Sequence, residues 1–276
     1  MPHFHPAVRP PAVAGAFYDG RPEVLRAQVD RFLSAPARPR QRARGVMVPH
    51  AGYIFSGAIC GHALASVEIP ATALILHTKH HPGGSALSLA SFERWRTPLG
   101  DSELDPALFS ALAAIPEISI NDEPHHGEHA AEVVLPFLQR LRPGLRVAVL
   151  SVGHAPFAIL ERAGLGIAAA LRGRDTLIVA SSDMNHYEDH ETTLQKDALA
   201  LRELERGDAR AMLEVCEREA ISMCGAAATA LMLIAARALG ASRVELLEHD
   251  TSGPVSGDYR RTVGYASALI VETPMM

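Results

Sequence analysis

Several apolar runs in this chain stop abruptly in histidine. Gly45–Val48 gives way to Pro49, His50, Ala51, Gly52 and Tyr53, and Ala73–Leu76 gives way to His77, Thr78, Lys79, His80 and His81. Arg146–Val152 ends in Gly153 and His154, and Thr176–Ala180 ends in Ser181, Ser182 and Asp183, with His186 just beyond. Imidazole is the commonest metal ligand and the side chain whose proton moves most readily near neutral pH. With 14 histidines present, position relative to a strand end is the filter that separates candidates from coincidence. Parallel strands bring their carboxyl ends to one rim, where open α/β sheets bind ligands. His50, His80, His154, Asp183 and His186 are therefore candidates to meet there.

Cys224 stands in Ser222, Met223, Cys224 and Gly225, immediately before an Ala-rich stretch of helical character. The positive end of a helix dipole biases a thiol toward thiolate, the form that binds metal; a small buried packing residue is the plainer alternative. Two imidazoles and one thiolate suit iron, copper or zinc better than magnesium or calcium. A second pattern is His125, His126, Gly127, Glu128 and His129, which matches H-x-x-E-H. There, histidines four apart on a helix bind zinc and the glutamate acts as base of a hydrolase. Pro124 and Gly127 weaken that first turn, and a solvated helix start is the alternative.

These residues need strands and helices to position them. Apolar spacing predicts helices at Arg21–Leu33, Phe55–Val67, Asp105–Ala114, Glu128–Leu141 with a bend at Pro136, Phe157–Leu171, Glu191–Glu205, Ala209–Glu217 and Gly225–Leu239. Strands are predicted at the four runs above and at Ser85–Ser91, Ile118–Ile120, Arg243–Leu247 and Thr262–Val271, with a turn at Trp95–Pro98. A Pro-rich extended lead opens the chain, and a polar connector at Pro36–Arg44 precedes the first strand. Strands alternating with helices predict an α/β fold with a mixed, largely parallel central sheet flanked by helices.

With 48% hydrophobic and 21% charged residues, the composition is that of an ordinary globular protein, and no long linker divides it, so residues 1–276 read as a single domain. A net charge of -5 without a Lys/Arg stripe argues against nucleic acid as a partner. The N-terminus lacks a signal-like apolar core and no apolar span is long enough for a bilayer, which points to the cytoplasm and away from membranes. Cys60, Cys216 and Cys224 are odd in number and widely spaced, which argues against a disulfide framework.

The motifs together resemble a known family. Arg9 with Ala12–Tyr18 (AVAGAFY), Val48–Gly57 (VPHAGYIFSG), the His80–His81 pair, Gly127–Leu138 (GEHAAEVVLPFL), Ser181–Tyr187 (SSDMNHY) and Met223–Gly225 (MCG) occur in the order of the Memo family, known in prokaryotes as AmmeMemoRadiSam system protein B. The resemblance implies a fold similar to class III extradiol dioxygenases, with metal ligands at His50, His80 and Cys224. It implies iron or copper as the metal, redox chemistry, and association with a radical-SAM protein in prokaryotes; the eukaryotic branch is associated with phosphotyrosine-peptide binding. The chain departs from the family in having His77, Thr78 and Lys79 where a Gly-Pro-Ser type turn is usual, and Val134 where a polar residue is common.

The combined reading is a metal-binding, dioxygenase-like oxidoreductase acting on a small molecule. Its cofactor is iron(II) by preference, with copper or zinc as alternatives. His186, oriented by Asp183, is the expected general acid/base, and His81, Glu128, His129 and Tyr53 are the expected substrate-binding residues. A non-enzymatic metal- or peptide-binding module and a zinc hydrolase built on His125, Glu128 and His129 are the alternative functions.

Overall fold

The parallel strands at the centre of the fold are apolar at almost every position, because both faces of the sheet are covered and neither can be left polar. The computed structural model describes residues 7–34 and 39–272. The first six residues of the Pro-rich lead and residues 36–38 of the connector lie outside them.

The strands are β1 (Val8–Arg9), β2 (Gly45–Val48), β3 (Thr72–Thr78), β4 (Leu87–Leu89), β5 (Arg94–Thr97), β6 (Gly100–Leu104), β7 (Ser119–Ile120), β8 (Arg146–Val152), β9 (Thr176–Ser181), β10 (His186–Glu188), β11 (Ala241–Thr251) and β12 (Thr262–Glu272). They form one sheet in the order β1-β5-β6-β8-β3-β9-β2-β12-β10, with β11 beside β12, and β4 between β7 and β8. β6, β8, β3, β9 and β2 run parallel to one another. β12 closes against β2 in the antiparallel sense and also carries β10 and β11.

The helices are α1 (Pro22–Leu33), α2 (Tyr53–Ala65), α3 (Pro106–Ala113), α4 (Leu135–Leu141), α5 (Phe157–Leu171), α6 (His190–Glu205), α7 (Ala209–Arg218), α8 (Ala226–Ala238) and the single turn α9 (Gly253–Ser256). Side chains alternate across a strand, so the sheet feeds two cores. Leu74, Leu76, Leu150 and Ile178 pack with α3, α5, α6, α7 and α8 on one face. Ala73, Ile75, Val147 and Val179 pack with α1, α2 and α4 on the other. This is the predicted α/β architecture.

Three local expectations are corrected. Trp95–Pro98 is not a turn: Arg94–Thr97 is a strand hairpinned to β6, with Trp95 and Thr97 buried and Arg94 and Arg96 exposed, a period-two pattern. Glu128–Leu141 is not one helix. Residues 128 and 129 are irregular, 130–134 form turns, and helix begins only at Leu135, placing Pro136 in its first turn, where a missing N–H costs nothing, rather than at a bend. The third is β10, a short strand beginning at His186 where the sequence shows no apolar periodicity.

Candidate functional site

Register decides what meets at the rim. Val48 pairs with Ser181, and Ser181 pairs with His77, so β2, β9 and β3 end level with one another. Each then turns off the sheet within two or three residues, bringing His50 and His80 together and Asp183 beside them. Cys224 arrives from the helical layer on the far side of the sheet, on the turn before α8. That approach is close: a Cβ on Gly225 would lie 2.5 Å from the Ser181 carbonyl oxygen, so only glycine fits after Cys224.

His50, His80 and Cys224 each present a donor atom, and the three lie within 4.8 Å of one another. His50 Nε2 is 3.4 Å from Cys224 Sγ. Hydrogen bonds at the other ring nitrogens set the tautomers. Ser181 Oγ donates to the Ala130 carbonyl at 2.6 Å, which leaves its lone pair to accept from His50 Nδ1–H at 2.8 Å. His80 Nδ1–H donates to Glu128 Oε1 at 2.8 Å. Both rings therefore keep Nε2 as a lone pair, the form a metal requires, with a hydroxyl and a carboxylate fixing their orientation from behind.

Glu128 is fully buried and accepts from the His80, His129 and Ala130 backbone N–H groups as well as from the His80 ring. Burial alone would raise its carboxyl, but the His80 hydrogen bond and the fields of His77 and His80 outweigh that and hold it well below the ordinary range. His129 stacks on His80 with centroids 4.6 Å apart and has Nδ1 3.2 Å from Glu128 Oε1. Burial, then the neighbouring imidazoles, pushes His50 down to about 3, and burial with the field of His50 pushes His129 down to about 4. Both are neutral lone-pair donors at physiological pH.

Cys224 departs from expectation. Burial and the Asp183 carboxylate raise its thiol well above the ordinary value, and hydrogen bonding by the Asp183 and Gly225 backbone N–H groups, the latter at the start of α8, recovers only part of this. The helix terminus alone does not make a thiolate here; a bound cation would, by replacing the proton.

A pocket of about 700 Å³ opens over these groups. His50, His80, His129, Asp183, His186 and Cys224 line its polar side, and Phe17, Phe55, Tyr187, Val263 and Tyr265 its apolar side. His186 faces the pocket, but Asp183 does not orient it. His186 Nδ1–H donates to the Ser222 carbonyl at 2.9 Å, and Ser222 Oγ accepts from the His186 backbone N–H at 2.8 Å. The Asp183 carboxylate instead accepts from the His50 backbone N–H at 2.8 Å, while burial raises its pKa. Tyr187, directly after His186, sits at φ 65°, a strained conformation for a non-glycine residue.

Other expected site residues fall elsewhere. Tyr53 is buried, with its hydroxyl donating to the Val133 carbonyl at 2.8 Å, so it faces the core rather than substrate. His81 lies outside the pocket, bonded to the Gly127 carbonyl at 3.0 Å, and Glu128 sits behind His80 rather than in the wall. His154 is exposed and belongs neither to the donor group of His50, His80 and Cys224 nor to a second one found among the described residues, His80, Glu128 and His129, whose donor atoms also lie within 4.8 Å of one another. The H-x-x-E-H residues do not assemble as one ligand set. His125 lies in a three-residue 3-10 turn, and its ring nitrogens face His77 Nε2 and the Ser88 carbonyl, each at 3.0 Å, away from His129. His77 is buried with it, Lys79 donates to the Gly84 and Ser85 carbonyls, and Val134 is core.

Ser181, Ser222 and Phe17 are site residues that the motif-by-motif reading missed. Each stood inside a recognised signature or beside one, but only its partner across the fold reveals its role.

An α/β protein with a histidine- and cysteine-bearing rim at its parallel strand ends is the class that fold and site define. Comparison with known proteins narrows it. The family model described as Memo-like protein matches residues 9–269. A MEMO1 family protein of Methanopyrus kandleri is 37% identical over 277 residues, covering 95% of this chain and 98% of that protein. Those of Sulfolobus acidocaldarius and Methanothermobacter thermautotrophicus are 36% and 35% identical, each over 94% of this chain and at least 98% of the relative. The chain belongs to the Memo family. Among the described residues, no helix is long and apolar enough to cross a membrane.

Proposed function

We propose that this Memo-family protein is a metal-dependent, dioxygenase-like oxidoreductase that acts on a small molecule held over His50, His80 and Cys224. The observation that carries this reading is the convergence of one ring nitrogen from each of two imidazoles and one sulfur within 4.8 Å, with each imidazole oriented through its Nδ1. A mixed nitrogen and sulfur set of this kind fits a divalent or redox-active transition metal, iron(II) first and copper or zinc as alternatives, and does not fit magnesium or calcium. Iron or copper there would supply electron transfer to substrate or dioxygen, which zinc would not.

The chain's own residues account for the rest. His186, with Nδ1–H committed to Ser222, offers Nε2 as a proton acceptor toward the pocket. Phe17, Phe55 and Tyr265 give a planar apolar substrate a surface to lie against. The pocket wall favours a second reading, a peptide- or metal-binding module without turnover, because Tyr187 is 63% exposed there.

Protein purified without oxygen and assayed for metal, then for oxygen uptake with candidate small phenolic substrates, tests the proposal. Bound iron or copper with substrate-dependent uptake supports it. Stoichiometric metal with no uptake across the substrate panel favours the binding module.

A further inference from the structure

Glu132 is fully buried, yet it contributes nothing directly to the pocket. Its carboxylate is taken up by a single stretch of chain. Oε2 accepts from the Ala12 backbone N–H at 2.7 Å and pairs with the Arg9 guanidinium, and Oε1 accepts from the Val13 backbone N–H at 3.0 Å and from the Tyr18 hydroxyl. Arg9, equally buried, spends its remaining donors on the carbonyls of His125 and Glu128 and lies 4.9 Å from the centroid of the Trp95 ring. Residues 9–18 thus form a strap tied at one carboxylate. Beyond the tie, the Phe17 carbonyl accepts from the Tyr53 backbone N–H at 2.8 Å, and the Phe17 ring packs on His129 with centroids 4.6 Å apart.

We propose that Glu132 is a positioning residue that latches this strap, and that the latched strap sets the width of the pocket and shields His129 through Phe17. A buried carboxylate serving four donors from one segment holds that segment only while it is charged, because a neutral amide in its place keeps the shape but loses the charge-assisted bonds and strands Arg9. Arg9 couples the strap to the candidate metal centre as well, since its bond to the Glu128 carbonyl steadies the residue whose side chain orients His80. The proposal rests on reading the pocket as the place where a small molecule meets a metal.

Trp95 is the chain's only tryptophan, and Arg9 lies against it, so its fluorescence reports the tie independently of the pocket. In Glu132→Gln, we expect a shift in Trp95 emission, new chymotryptic cleavage after Phe17 or Tyr18, and carbethoxylation of His129 about tenfold faster, as for a segment whose local opening has become easier. Co²⁺ binding, read from its thiolate charge-transfer band, should persist. Phe17→Ala should raise His129 reactivity alone and leave Trp95 emission unchanged. If Glu132→Gln does not fold, Tyr18→Phe, which removes one donor, should give the same changes in smaller degree. His129 protection and Trp95 emission unchanged in the Glu132 or Tyr18 variant would overturn the latch. Loss of Co²⁺ binding in Glu132→Gln while His129 stays protected would overturn it too. Failure of the wild-type protein to bind Co²⁺ at all would count against the metal reading instead, leaving the Trp95 and His129 results to judge the strap.

Discussion

Ser181 shows how the candidate site depends on groups that never face a ligand. Its hydroxyl donates a hydrogen bond to the Ala130 carbonyl and accepts one from His50 Nδ1–H, which fixes His50 Nε2 as the atom turned toward Cys224. Ser181→Ala should therefore lower metal affinity by about 10–100-fold, the usual effect of removing an orienting partner behind a ligand, while leaving the fold intact. Competition titration with a chromophoric chelator measures it, and an unchanged affinity would show that the ring is held by packing alone. Cys224→Ser should weaken binding more, because a hydroxyl supplies neither the charge nor the softness of a thiolate. His125→Ala should leave affinity within about threefold in the same titration, since its nitrogens face His77 and Ser88 rather than the donor group. Greater loss from His125→Ala than from Cys224→Ser would favour the H-x-x-E-H hydrolase reading. These roles were hidden in the sequence because the partners are far apart along it: Ser181 and His50 are 131 residues apart and say nothing about each other until β2 and β9 are paired.

At the level of the elements, β3 carries a buried histidine one residue before its end. His77 is buried, with Nδ1 2.6 Å from the Thr78 carbonyl and Nε2 facing His125. Burial pushes His77 down to about 4 and, with the field of His77, pushes His125 well below its ordinary value. In the unfolded chain both titrate near 6.5, so as pH falls below about 6.5 the unfolded state binds protons first. Stability is full above about 6.5 and declines as pH drops toward 4, by about 1.4 kcal/mol per pH unit for each histidine. Urea midpoints between pH 7 and 4.5 should fall along this slope, and His77→Gln should flatten it by one histidine's share; parallel slopes would contradict the burial argument. The turn before α8 carries a second expectation. Gly225→Ala places a Cβ against the Ser181 carbonyl and the Ser182 side chain, and relieving that overlap should cost about 1–3 kcal/mol or more and displace Cys224. Thermal unfolding with and without Zn²⁺ separates the two effects, because displacement of the thiol also removes stabilisation by metal. The β5–β6 hairpin is legible in principle: Arg94, Trp95, Arg96 and Thr97 alternate exposed and buried, but Trp95–Pro98, closing in proline, reads as a turn.

Across the whole molecule, the layered α/β plan and the rim where the chemistry gathers could be read from apolar runs that stop in histidine, because a strand buried on both faces has a local signature. Which of those histidines converge could not. His50 and His154 follow strands of similar character, yet β2 ends beside β9 and the turn before Cys224, while His154 leaves β8 into solvent. Sheet order makes that distinction, and it is set by pairing between distant segments. The proposed metal centre requires His50, His80 and Cys224 to form one coordination sphere. X-ray absorption on the Zn²⁺-loaded protein tests it most directly. A single sulfur scatterer at about 2.3 Å with imidazole nitrogens at about 2.0–2.1 Å, and loss of the sulfur shell in Cys224→Ser, is the predicted result. A first shell of nitrogen and oxygen alone in the wild-type protein, or a sulfur shell that persists in Cys224→Ser, would contradict it.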